Sequence, residues 1–286
     1  MIRSPAVAGR FYPADPGELA QQIDQFCARP EGSPATSPTG AAQAHAAAKR
    51  RVIACVVPHA GYMYSGHVAG AVYSAVEIPS RLILLGPRHY PDGQPMAPMS
   101  MISEGSFATP FGNASIDSAL AVELATACPL LRDDPIAHQR EHSLEVQLPF
   151  LQRLARDFTF APIVLVTDRY SSMETLGDAI AMVVAAHSEP VLVIASTDMN
   201  HYEDDTITRE KDARAIERIL ALDPRGLYDV VRSEGISMCG YAATVAMLIA
   251  AVKLGARSAE LIRYATSGDI NGERDRVVGY AGIILR

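Results

Sequence analysis

Short apolar runs alternate with amphipathic stretches along this chain, and three of the runs end at a histidine. RVIACVV (51–57) leads into Pro58-His59-Ala60-Gly61-Tyr62. RLILLG (81–86) leads into Pro87-Arg88-His89-Tyr90, and VLVIAST (191–197) into Asp198-Met199-Asn200-His201. Strand-like runs interleaved with helical patterns specify an α/β fold with a largely parallel central sheet flanked by helices. In open sheets of this kind, ligands bind outside the carboxyl ends of the strands. Three histidines at three strand ends therefore predict one site. Imidazole suits that site to a transition metal or to proton transfer near neutral pH.

The other elements follow from local signals. Asp15-Pro16-Gly17-Glu18 places an acid at a helix N-cap and a proline in the first turn, which predicts a helix over 16–28. Further helices are expected at 66–76, 115–127, 143–156, 171–187, 207–221, 224–233 and 241–254, and further strands at 159–166, 259–266 and 277–285. The polar loop 267–275 makes the last two strands an antiparallel pair at one edge. Residues 91–114, rich in Met, Pro and Gly and without clear period, read as a long excursion near the site. Residues 30–48, PEGSPATSPTGAAQAHAAA, read as a flexible surface insertion, which removes His45 from the candidates. No other segment looks like a linker, so residues 1–286 read as a single domain.

Composition narrows the function. With 49% hydrophobic and 20% charged residues over 286 positions, a sizeable core is expected rather than disorder. The formal net charge of −7 leaves no basic surplus to neutralise phosphates, so no nucleic acid partner is expected. Nor is a membrane partner, because no stretch reaches the roughly 18 uninterrupted apolar residues of a spanning helix. The N-terminal MIRSPAVAGRFYP lacks the apolar core of a signal peptide. The four cysteines form no CxxC pair, which fits a cytoplasmic chain with reduced thiols.

Several residues around the strand ends carry chemistry. Asp198, beside His201 in one loop, would fix the tautomer of that imidazole or cap the segment after it. Cys239 precedes Gly240 at a helix start, where the N-terminus favours thiolate, the form that ligates metal or attacks carbon. Cys55 lies inside a strand and reads as a small hydrophobe, while Cys27 and Cys128 fall at helical surfaces. Glu141-His142-Ser143-Leu144-Glu145 opens a helix. His142 there reads as a substrate-facing proton donor or a structural residue, and Ser143 and Glu145 suit capping. Arg88 would bind an anion or simply lie exposed. His67, His138 and His187 read as ordinary helix or loop residues. Two histidines and one cysteine, with water in the fourth position, leave a metal open to reaction, and mixed imidazole and thiolate suits Fe, Cu or Zn.

These motifs resemble the Memo family, known in prokaryotes as AmmeMemoRadiSam system protein B. The matching segments are Arg3-x-Pro5-Ala6-Val7-Ala8-Gly9-x-Phe11-Tyr12-Pro13, Pro58-His59-Ala60-Gly61-Tyr62, Leu85-Gly86-Pro87-x-His89 and Glu141-His142-Ser143-Leu144-Glu145. Ser196-Thr197-Asp198-Met199-Asn200-His201-Tyr202, Cys239-Gly240 and Gly279-Tyr280-Ala281 complete them, in order along nearly the whole chain. The resemblance implies a fold like that of the class III extradiol dioxygenases, which hold non-haem Fe(II) with two histidines and a glutamate. It implies His59, His89 and Cys239 as metal ligands, with iron or copper and redox activity. His201 then matches a catalytic acid/base, and Asp198 and His142 share its pocket. A small molecule or peptide would occupy that pocket. A radical-SAM protein and an AMMECR1-like protein are the expected partners. The alternative within the same resemblance is a non-catalytic scaffold that binds a peptide or protein in a vestigial enzyme pocket.

Overall fold

The computed structural model describes residues 1–28, 49–90, 97–155 and 157–286. The insertion expected at 30–48 and the first residues of the 91–114 excursion lie outside them. The strands are β1 (Ile2–Arg3), β2 (Ala54–Val57), β3 (Arg81–Pro87), β4 (Met99–Met101), β5 (Ser106–Thr109) and β6 (Gly112–Ile116). They continue with β7 (Leu131–Asp133), β8 (Thr159–Leu165), β9 (Val191–Ser196), β10 (His201–Glu203), β11 (Ala259–Thr266) and β12 (Val277–Leu285). One sheet joins them in the order β1-β5-β6-β8-β3-β9-β2-β12-β10, with β11 on β12 and β4 between β7 and β8. The central five, β6 to β2, run parallel. The C-terminal strands are antiparallel, as expected, with β12 between β2 and β11.

Alternation along the central strands builds two cores. Ala54, Val56, Ile83, Leu85, Val193 and Ala195 pack on one face, against helices Ser118–Ala127, Tyr170–Ala186 and Tyr241–Lys253. Cys55, Val57, Leu82, Leu84, Leu192 and Ile194 pack on the other, against helices Pro16–Cys27, Tyr62–Ala75 and Leu148–Leu154. Successive side chains of a strand point to opposite faces, so one run feeds both layers. Fully burying each such aliphatic side chain contributes about 1.5–3 kcal/mol. Among the described residues no helix is long and apolar enough to cross a membrane.

Three expectations need correction. The described part of the excursion holds three strands rather than irregular chain. β4 pairs antiparallel with β8, and β5 and β6 form a hairpin. These strands are three to five residues long and mix small, polar and apolar residues, too short and too weakly patterned to show a period. For the same reason the helix expected from 115 starts at Ser118, where Asp117 caps it by accepting the Leu120 N–H at 3.0 Å. The helix expected over 143–156 is a 3-10 turn, Glu145–Gln147, running into Leu148–Leu154.

Candidate metal centre

Neighbouring parallel strands deliver the site. β3, β9 and β2 lie side by side, with Val57 in register with Ser196. His89, Asp198 and His59 each follow the last residue of their strand by two positions. Cys239 arrives from the loop before helix Tyr241–Lys253, which packs under β9. Gly240 makes that approach sterically feasible. A Cβ there would lie 2.5 Å from Thr197 Cβ and 2.6 Å from the Ser196 carbonyl oxygen. Its N–H instead donates to Thr197 Oγ1 at 2.9 Å.

His59, His89 and Cys239 each bring one ligand atom, all within 4.8 Å of one another. Hydrogen bonds select the free nitrogens. Ser196 Oγ–H donates to the Ser143 carbonyl at 2.6 Å, so the same oxygen accepts from His59 Nδ1–H at 3.0 Å and from Gln147 Nε2 at 2.8 Å. The His59 Nε2 lone pair is then turned to Cys239 Sγ, 3.3 Å away. His89 Nδ1–H donates to Glu141 Oε1 at 2.9 Å, which leaves its Nε2 free to ligate. A carboxylate behind a ligating imidazole is the usual way to fix its orientation and raise its basicity. Burial alone pushes Glu141 up, but the His89 hydrogen bond and charge outweigh it and bring the group down to about 2. Glu141 is thus a carboxylate at neutral pH. Its Oε1 also accepts the His142 and Ser143 N–H groups at 2.8 Å each.

Burial sets the other protonation states. It pushes His59 well below the usual imidazole range and His142 to about 4, so both are neutral. It pushes the Cys239 thiol up, with the Asp198 charge adding to it. The thiolate expected from the helix N-terminus is therefore not the resting form without a cation. Sγ does accept the Asp198 N–H at 3.3 Å, which would support the thiolate once a metal is bound.

Asp198 and His201 line the same cavity as His59, His89 and Cys239, but they do not pair as expected. Asp198 Oδ1 accepts the His59 N–H at 2.7 Å and the Ala60 N–H at 3.3 Å, so it shapes the His59 turn. The tautomer of His201 is fixed by Ser237, whose carbonyl accepts Nδ1–H at 2.9 Å. Asn200 Oδ1 in turn accepts the Ser237 N–H at 3.0 Å. His201 Nε2 is left as an acceptor in the cavity.

His142 is stacked on His89, with ring centroids 4.6 Å apart, and edge-on to Phe11 at 4.8 Å. It too lines the cavity, which is about 820 Å³ and walled by Phe11, Tyr64, Tyr202 and Tyr280. Neither Ser143 nor Glu145 caps a helix. Ser143 Oγ donates to the Pro87 carbonyl at 3.0 Å. Glu145 is fully buried, paired with Arg3, and accepts Ala6 N–H, Val7 N–H and Tyr12 O–H.

The remaining candidates lie elsewhere. His138 is buried with Nε2 3.2 Å from the Ser100 carbonyl, and His187 bridges Arg81 and Glu123. His67 lies on helix Tyr62–Ala75, outside the cavity. Arg88 is buried rather than exposed, its guanidinium 3.8 Å from Asp134. Cys55 and Cys128 are buried and Cys27 half-buried. Sequence reasoning missed the parts of Glu141, Ser196, Gln147 and Ser237. The one available signal was the acid directly before His142.

A family model described as Memo-like protein matches residues 3–284. The chain belongs to the Memo family. A MEMO1 family protein of Methanopyrus kandleri is 41% identical over 100% of this chain and 99% of its own length. Others from Methanothermobacter thermautotrophicus and Saccharolobus solfataricus are 38% and 40% identical, each over 98% of this chain and 99% and 98% of their own. An uncharacterised protein of Escherichia coli K12 superposes with a TM-score of 0.48 at 11% identity, over 80% of this chain and 99% of its own.

Proposed function

We propose that this Memo-family protein is a metal-dependent oxidoreductase, with Fe(II) or Cu, or Zn as a redox-silent occupant, on His59, His89 and Cys239. One observation carries the reading. Two imidazoles and a sulfur converge within 4.8 Å while the second nitrogen of each ring is tied to a protein acceptor. The donor set fits a borderline-soft transition metal and not Mg or Ca. Bound there, such a metal supplies Lewis acidity and, for iron or copper, one-electron chemistry.

The protein groups divide the remaining work. Glu141 holds His89 in its ligating orientation, and Ser196 with Gln147 does the same for His59. His201 Nε2 accepts a proton from a hydroxyl-bearing ligand in the cavity, its Nδ1–H held by the Ser237 carbonyl. His142, kept neutral by burial, faces the same ligand. Phe11 and Tyr64 restrict water around it. A peptide-binding scaffold requires no convergent ligands with oriented ring nitrogens, and that orientation favours chemistry over scaffolding.

The test is metal content in protein purified without added metal or chelator, beside His59→Ala and Cys239→Ser. The proposal expects about one transition metal per chain in the parent and loss of most of it in both variants. Equal content in all three would reject the ligand assignment.

A further inference from the structure

Tyr280 lies on β12 two residues from Val278, which pairs with His201 in the β10–β12 ladder. Residues two apart on a strand share a face, so Val278 and Tyr280 line the cavity together with His201. Among the described residues four tyrosines are buried: Tyr12, Tyr62, Tyr73 and Tyr280. Three of them donate their hydroxyl to a protein acceptor, Glu145 Oε1 at 2.6 Å, the Val146 carbonyl at 2.7 Å and Gln147 Oε1 at 2.8 Å respectively. Tyr280 is only 2% exposed, yet its hydroxyl makes no hydrogen bond to any described residue. It is also not sealed inside the protein, so its open surface is cavity surface. A buried tyrosine normally finds a partner for its O–H. Burial and the Asp198 charge hold this phenol protonated at neutral pH, so it is a donor.

We propose that Tyr280 is a ligand-binding residue, its O–H donating to an oxygen of the molecule that fills the cavity while His201 Nε2 accepts from a hydroxyl of that molecule. The ligand class is a small molecule that carries both an acceptor oxygen and a hydroxyl. Because Tyr280 pairs with Ala265 of β11 and Val278 beside it with His201 of β10, the backbone that carries the donor is held in place. The inference rests on reading the cavity as a substrate site, and its test separates the two claims.

The experiment titrates 4-nitrocatechol, as a chromogenic probe with paired oxygens, into Zn(II)-loaded parent and Tyr280→Phe. Zinc content and melting temperature are measured on the same samples. The variant should keep its zinc and melt at the same temperature or higher, because a hydroxyl without a protein partner is removed. Its affinity for the probe should fall about three- to tenfold, the loss of one neutral hydrogen bond. Equal affinity in parent and variant, no binding to the parent, or a marked fall in melting temperature would each overturn the assignment. If the parent holds no zinc, the metal reading fails on that measurement alone. The same titration on the metal-free protein then decides the role of Tyr280 by the same criteria.

Discussion

Glu141 and Cys239 show how single residues set the electrostatics of the centre. Glu141 receives four N–H groups, from His89 twice, His142 and Ser143, and has no room for a donor of its own. Glu141→Gln puts an NH2 group among them. Carboxylates behind metal-binding histidines are worth about 10–100-fold in metal affinity, so a loss of that size is expected in a competition titration with a chromogenic chelator. Cys239 is protonated at neutral pH without a metal, because burial and the Asp198 charge raise its thiol. Metal binding at pH 7 should therefore release about one proton per chain from this residue. Calorimetry in buffers of different ionisation enthalpy reads that number, and Cys239→Ser should remove it. At this level His59, His89, His201 and Cys239 stood out because apolar runs and a Cys-Gly at a helix start mark positions, and the family resemblance singled out His59, His89 and Cys239 as the expected ligands. Glu141 was not, because it lies 52 residues from His89 and meets it only across the end of the sheet.

Among the elements, the parallel strands were readable and their supports were not. β2, β3 and β9 carry long enough Val, Ile and Leu runs to declare themselves, and the sheet order brings their ends together. Strands β4 to β6 are short and weakly patterned, and the segment after Arg140 forms a loop and 3-10 turn because its polar groups are used elsewhere. Ser143 Oγ reaches the Pro87 carbonyl, and Gly86 leaves the space, since a Cβ there would lie 2.7 Å from Ser143 Oγ. Arg3 pairs with buried Glu145 and donates to the His138 and Glu141 carbonyls, so the N-terminal segment clamps the stretch that carries Glu141 and His142. No local pattern announces a contact of that sequence separation. The tightest junction is Gly240 against the end of β9. Gly240→Ala forces backbone apart at the Ser196–Thr197 end and should cost about 1–3 kcal/mol, read by denaturant unfolding. The same displacement should weaken metal binding, whereas a glycine that only eased turn formation would leave it unchanged.

Across the whole molecule, the neutral buried histidines couple folding to pH. Burial lowers His138 and His142 to about 4 each and pushes His59 well below the usual imidazole range, while the unfolded chain titrates near 6.5. The unfolded state then binds more protons than the native one as pH falls from about 6.5 to 4, so stability decreases across that window. A shift of this size on one fully buried histidine corresponds to roughly 3 kcal/mol by the time pH reaches 4. The metal-free protein should lose melting temperature steeply between those limits, and His138→Gln, which lies away from the cavity, should flatten the slope. Glu141 contributes stability that is fully present above the usual carboxylate range and is lost progressively as pH falls from there through its lowered value of about 2. The fold thus gathers imidazoles, carboxylates and a thiol around the ends of three adjacent strands, and the function follows from whether His59, His89 and Cys239 share one ion. X-ray absorption at the zinc edge of the Zn(II)-loaded protein decides this. The account predicts sulfur at about 2.3 Å together with imidazole nitrogen at about 2.0–2.1 Å, the sulfur disappearing in Cys239→Ser. A spectrum fitted by nitrogen and oxygen alone in the parent protein would contradict it.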